Sequence, residues 1–122
     1  MRPASEIVRA CFKAYEDKDR AAIEEILSDD FHFSSPLDNA IDRRMYFERC
    51  WPVSENIIKF SLSNLVEFEG QVFVTYEGLL TGGKSFRNTE IFEVIDGKIR
   101  SVEVYFGWDL PHPAQRGKFV NP

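Results

Sequence analysis

Residues 86–108 read FRNTEIFEVIDGKIRSVEVYFGW, two runs of alternating apolar and polar residues joined at Asp96-Gly97. A period of two is that of a strand with one face turned inward. Asp-Gly between two such runs is the chemistry of a tight hairpin turn, because both residues tolerate positive φ. The second strand, Ile99 to Trp108, is expected to set Val102, Val104, Phe106 and Trp108 on one face and Ser101, Glu103, Tyr105 and Gly107 on the other. On the first strand the same count puts Asn88 and Glu90 on the inward face with Phe86, Phe92 and Val94. Burying a carboxylate costs on the order of several kcal/mol unless it is hydrogen-bonded, protonated or facing a cavity. Each of those outcomes points to a pocket.

Upstream of the hairpin the pattern predicts two more strands. Ile58, Phe60, Leu62, Val66 and Phe68 are assigned to one face, Glu69-Gly70 turns the chain, and Val72, Val74 and Tyr76 lead toward Leu80 before Thr81-Gly82-Gly83 turns it again. The N-terminal third is helical. Ile7, Val8, Cys11, Phe12 and Tyr15 form one stripe on a helix from Ser5 to Lys18 that Ser5 or Ala4 can cap. Asp19 can cap a short second helix whose apolar side is Ala22, Ile23, Ile26 and Leu27, stopped by Ser28-Asp29-Asp30. Phe31, Phe33 and Ser35 alternate as a short strand ended by Pro36 and a turn at Asp38-Asn39. Asp42 then caps a third helix with Met45, Tyr46, Cys50 and Trp51 on one side, Arg43, Arg44, Glu48 and Arg49 opposite, and Pro52 closing it. Helices followed by an antiparallel meander predict an α+β fold in which a curved sheet wraps the three N-terminal helices.

A chain of 122 residues is read as a single domain, 1–122, with a C-terminal tail from about 109. It is large enough to bury about two-thirds of its unfolded surface and hold one modest cavity. The net charge of −5 and the scatter of Lys and Arg argue against a nucleic-acid surface. No apolar run is long enough to cross a bilayer, and Met-Arg-Pro-Ala-Ser-Glu lacks the apolar region of a signal peptide, so the cytosol is the expected compartment, with no membrane partner. Cys11 and Cys50 lack the Cys-x-x-Cys spacing of a redox or zinc motif and read as small buried hydrophobes. Two isolated histidines make no metal site: His32 alternates outward, and His112 lies in the Leu-Pro-His-Pro tail.

The candidate catalytic residue is Glu90, as a general acid or base whose pKa its apolar neighbours raise; the plainer account is a carboxylate held by a buried Tyr or Asn. Asn88 can orient that carboxyl or a ligand, or simply satisfy backbone groups. Tyr46, Trp51, Phe60, Tyr76, Phe106 and Trp108 belong to an aromatic core of which some members must line any cavity, with Val104 on the same inward face and Ser35 as a directional contact. Asp38 reads first as a turn former and second as a loop carboxylate at the pocket entrance.

The order helix, helix, Asp29-Asp30-Phe31-x-Phe33-x-x-Pro36, helix, then a meander closing on Asn88-x-Glu90-x-Phe92, Gly97-Lys98-Ile99 and Tyr105-Phe106, resembles the SnoaL-like and ketosteroid-isomerase-like members of the nuclear transport factor superfamily. The resemblance runs from Ser5 to Trp108. It implies a conical α+β barrel enclosing one deep pocket, no cofactor, and commonly a homodimer through the outer sheet face around Glu103 and Tyr105. It leaves the chemistry open, since such folds host isomerases, cyclases, epoxide hydrolases, dehydratases and non-catalytic binders. The isomerases carry an aspartate base before the Pro that ends the first strand, where this chain has Ser35. Their oxyanion tyrosine aligns with Cys11, one turn before Tyr15, and their protonated acid aligns with Glu90. The epoxide hydrolases carry Arg-x-Asp and a last-strand Asp where this chain has Asn88-x-Glu90 and Val104. The expected function is binding of a small hydrophobic molecule, with cofactor-free proton transfer if catalysis occurs. The alternative is a non-catalytic ligand-binding or protein-interaction module.

Overall fold

The helical stripes form where the apolar spacing predicts them. A computed structural model describes residues 2–121, so the two ends of the expected 1–122 domain lie outside the described residues. Helix α1 (Ala4–Asp17) buries Ile7, Val8, Cys11 and Phe12. Neither Ser5 nor Ala4 caps it: Pro3 is the N-cap, and the Ser5 amide instead donates to Glu67 Oε1 at 2.9 Å. Asp19 caps α2 (Arg20–Ile26), accepting from the Ala22 amide at 3.1 Å, and Asp42 caps α3 (Arg43–Arg49), accepting from Met45 at 2.9 Å. A 3-10 turn, Trp51–Asn56, carries Pro52 at its start. Among the described residues no helix is long and apolar enough to cross a membrane.

Six strands, β1 (Leu27–Ser35), β2 (Asp38–Asp42), β3 (Ile57–Phe68), β4 (Gln71–Leu80), β5 (Ser85–Ile95) and β6 (Lys98–Leu110), make one curved sheet in the order β2-β1-β6-β5-β4-β3. The expected barrel is not closed, because β2 and β3 remain free edges at opposite ends of that order. Nor is the sheet wholly antiparallel. β1 lies parallel to β6, with Leu27 opposite Ile99 and Phe33 opposite Val102. The pairing joins strands separated by most of the chain, where no hairpin imposes opposite directions. β2 is a further correction, since Asp38 and Asn39 belong to a strand rather than a turn. The reversal comes earlier, at Pro36-Leu37, because Ser35 Oγ accepts the Leu37 amide at 3.0 Å and Ser34 Oγ accepts that of Ala40 at 2.9 Å.

The hairpin turn at Asp96-Gly97 is as expected, with φ of 53° and 77°. Two departures from strict alternation matter more. In β3 the pairing slips between Ile57 and Lys59 and again between Leu62 and Asn64, so the inward set is Ile57, Phe60, Leu62 and Leu65. Ile58, Val66 and Phe68, expected on the face of Phe60, are exposed. In β6 the register slips opposite Arg87 and Asn88, with Gly107 as the extra residue. Here a Cβ would stand 2.0 Å from the Arg87 carbonyl oxygen, so only glycine fits. The concave face and the helices between them bury Ile23, Phe31, Val72, Val74, Phe92 and Ile99.

Candidate functional site

A cavity of about 360 Å3 opens between the concave face, α1, α3 and the 3-10 turn. Its inner end is apolar, formed by Leu27, Phe31, Phe92 and Val102, all buried. Leu37, 74% exposed, and Phe106, 53% exposed, stand at its mouth with Val53. Between lies a belt of polar groups.

Glu90 projects into that belt because its neighbours across the sheet are Val74 on β4 and Val104 on β6, and all three share the inward face. Tyr76 donates its hydroxyl to Glu90 Oε2. Asn88, directly opposite Tyr76, donates Nδ2 to the Tyr76 oxygen at 3.4 Å and accepts the Gly107 amide on Oδ1 at 3.1 Å. A hydrogen-bonded chain therefore runs from the β6 bulge through Asn88 and Tyr76 to the acid. Glu90 Oε1 has no hydrogen-bond partner among the described residues. Burial pushes the Glu90 carboxyl up from 4.5 to about 7, against the Tyr76 bond, which favours the charged form. Tyr76 is raised above the usual phenol range by burial first and by the Glu90 charge second.

A second pair faces this one from the helices. Tyr15 of α1 and Tyr46 of α3 share a hydrogen bond and both line the cavity. Burial holds both phenols neutral, raising them well above their ordinary value. At the mouth, Arg49 Nε donates to Asp38 Oδ1 at 2.7 Å, and Ser35 Oγ donates to Asp38 Oδ2 at 3.1 Å. Cys11 and Cys50 also line the cavity, and burial pushes the Cys50 thiol up to about 11 and Cys11 higher still.

Glu90, Asn88, Ser35, Tyr46, Phe60, Tyr76, Val104 and Phe106 thus gather around one cavity, as the alternation requires. Trp51 and Trp108 do not. Trp51 is buried behind the wall, its ring 4.8 Å from that of Tyr15. Trp108 is turned outward by the Gly107 bulge, where it is 44% exposed and lies 5.7 Å beneath the Arg87 guanidinium and 5.4 Å from the His112 ring. Arg49, assigned to the polar side of its helix, reaches the cavity instead. Its spacing of three from Tyr46 is the signal that finds it. The Tyr15–Tyr46 pair has no local signal, because its members come from different helices. Among the described residues no three His, Cys, Asp or Glu side chains are grouped to hold a metal ion.

Three helices on a six-stranded curved sheet with a side-chain-lined hollow define the NTF2-like α+β class. Within it the chain belongs to the SnoaL-like domain family, whose model matches residues 8–102. An NTF2-like protein of unknown function from Cytophaga hutchinsonii superposes with a TM-score of 0.72 at 18% identity, over 88% of this chain and 92% of that one. An LEH-like epoxide hydrolase from M. tuberculosis gives 0.73 at 20% identity over 85% and 82%. An NTF-2 like protein from Burkholderia xenovorans gives 0.73 at 20% over 98% and 94%. At such identities the likeness is one of fold. No curated protein matches the chain.

Proposed function

We propose that the cavity takes up a small hydrophobic molecule bearing a polar oxygen, and that Glu90 exchanges a proton with it without a cofactor. The observation that carries this reading is Glu90 itself, enclosed by apolar walls, poised at about 7, with Oε2 held by Tyr76 and Oε1 unpartnered. A carboxyl titrating near neutrality is matched to general acid–base work. The volume equals about a dozen water-sized groups at ~30 Å3 each, which suits one or two fused rings. The Tyr15–Tyr46 pair can spend only one hydroxyl hydrogen on its mutual bond, leaving the other for a ligand oxygen. Proton transfer of this kind fits an isomerase, cyclase or dehydratase step, and one structure of like fold is that of an LEH-like epoxide hydrolase.

The test uses 2-acetylnaphthalene in D2O. The protein is expected to bind it, raising Tm, and to speed exchange of its acetyl hydrogens; Glu90→Gln should keep the binding and lose the exchange by about a hundredfold. Exchange undiminished in that variant removes Glu90 from the chemistry. One observation favours a second reading as a non-catalytic carrier: the position on β6 directly opposite Glu90 is Val104, where a carboxylate would help it activate water. Binding without exchange in the wild-type protein selects that reading. We further propose a cytosolic homodimer through the outer sheet face, where Tyr105 is exposed and bonded to Glu103 at 2.7 Å; a monomeric mass in analytical ultracentrifugation excludes the dimer.

A further inference from the structure

Among the described residues the charged side chains lining the cavity are Glu90, Asp38 and Arg49. The first two are engaged within the protein: Glu90 accepts from Tyr76, and Asp38 has one oxygen on Arg49 Nε and the other on Ser35 Oγ. The Asp38 side chain is only 9% exposed, so little of it is open to a partner from solvent. Arg49 differs. Its single bond through Nε orients the guanidinium plane, while Nη1 and Nη2 have no hydrogen-bond or ion-pair partner among the described residues and the side chain is 53% exposed. A guanidinium is a rigid planar fork suited to two parallel hydrogen bonds with a carboxylate. Beside Arg49, Asp38 and Ser35 the mouth is apolar, with Leu37, Val53 and Phe106 exposed. A cavity with an apolar inner end and a guanidinium whose Nη fork is open among exposed apolar side chains at the mouth is complementary to an amphiphile with an anionic head.

We propose that the ligand is such an amphiphile: its apolar body fills the cavity and its carboxylate sits on the Nη1/Nη2 fork of Arg49. The proposal rests on the small-molecule reading above and adds the head group. Asp38 offsets part of the Arg49 charge at long range, so recognition depends on hydrogen bonds made at contact. That contact dependence separates charge from geometry in the test.

2-Naphthoate and 2-acetylnaphthalene share a shape and about a dozen non-hydrogen atoms, and differ in the charge at one end. Titration calorimetry at about pH 6, where Glu90 is mostly protonated and the naphthoate is ionised, compares them. The wild-type protein is expected to bind naphthoate at least about tenfold more tightly than the ketone. Arg49→Gln should erase that preference and leave ketone affinity within about twofold, the retained ketone binding showing that the variant is folded. Arg49→Lys should recover only part of the preference, because an ammonium lacks the fork. Equal affinity of the wild-type protein for both probes, unchanged naphthoate binding in Arg49→Gln, or complete recovery in Arg49→Lys each overturns the assignment. Ketone binding without naphthoate binding overturns it while leaving the cavity reading standing, and failure of both probes to bind overturns the two together.

Discussion

Glu90 and Asp38 line one cavity, yet their surroundings differ in nearly every respect. Glu90 has valines on both flanks and, among the described residues, a single phenol as partner and no cation in reach of a hydrogen bond. Asp38 has a guanidinium on one oxygen and a hydroxyl on the other. The first environment favours the neutral acid, whereas the second holds both Asp38 oxygens in hydrogen bonds. Two residues of like chemistry thus differ in what they meet: one has an oxygen without a partner among the described residues, and the other fixes an arginine at the mouth. The difference arises from position in the sheet. Glu90 sits mid-strand between two paired neighbours, whereas Asp38 opens an edge strand against the C-terminus of α3.

The contrast breaks most plainly if Glu90 is made unable to ionise. Its folded pKa of about 7 lies above the 4.5 of an ordinary glutamate, so the folded state binds the proton more strongly than the unfolded chain does. The stability this contributes is complete below about pH 4.5 and is lost as the pH rises to about 7, amounting to about 3 kcal/mol. Urea unfolding at about pH 4.5 and 8 should show the wild-type protein losing that much relative to Glu90→Gln; parallel pH profiles refute the assignment. A somewhat smaller loss is expected from Gly107→Ala, whose Cβ would clash with the Arg87 carbonyl. About 2 kcal/mol of destabilisation should be accompanied by a displaced Glu90 titration, since the Gly107 amide anchors Asn88 and through it Tyr76. A cost with no change in titration cuts that chain of bonds out of the account.

Tyr76→Phe would remove the hydrogen-bond partner that Glu90 has among the described residues. The Tyr76 bond lowers the Glu90 pKa, so its removal should move the titration upward from about 7, as 13C NMR of the carboxyl will read. A downward move contradicts the direction of the bond. Asp38→Asn should have the least effect on the fold, about 1 kcal/mol or less in the free energy of urea unfolding, because Arg49 is half exposed and solvent screens the pair. The Glu90 titration should hold still in that variant, and a large movement would show that wall and mouth are not separate.

Much of this arrangement is legible in residues 86–108. The period of two finds the inward face of Glu90 and Asn88, and Asp96-Gly97 finds the turn. Asp19 and Asp42 announce their helices because an aspartate before an apolar stripe is a cap with one dominant use. Alternation misleads where an extra residue enters a strand. The two slips in β3 send Val66 and Phe68 to solvent, and Gly107 does the same to Trp108, because a bulge changes phase without changing composition. The parallel union of β1 with β6 and the meeting of Tyr15 with Tyr46 depend on contacts distant in sequence, and no window of neighbouring residues encodes them.

The free edges of the sheet have a consequence for how such a hollow is resized. A closed barrel would tie the diameter of its interior to strand number and stagger, and enlarging it would mean rebuilding backbone ladders. Here part of the enclosure is supplied by α1, α3 and a 3-10 turn, joined to the concave surface through side chains. A helix can slide by small steps against that surface while every interstrand bond stays intact, at the expense of packing and of the few hydrogen bonds that tie it to β3, such as Phe60 to Glu16. Substitutions at Cys11, Tyr15 or Val53 therefore change the outline of the cavity while leaving the wall that carries Glu90 as it is.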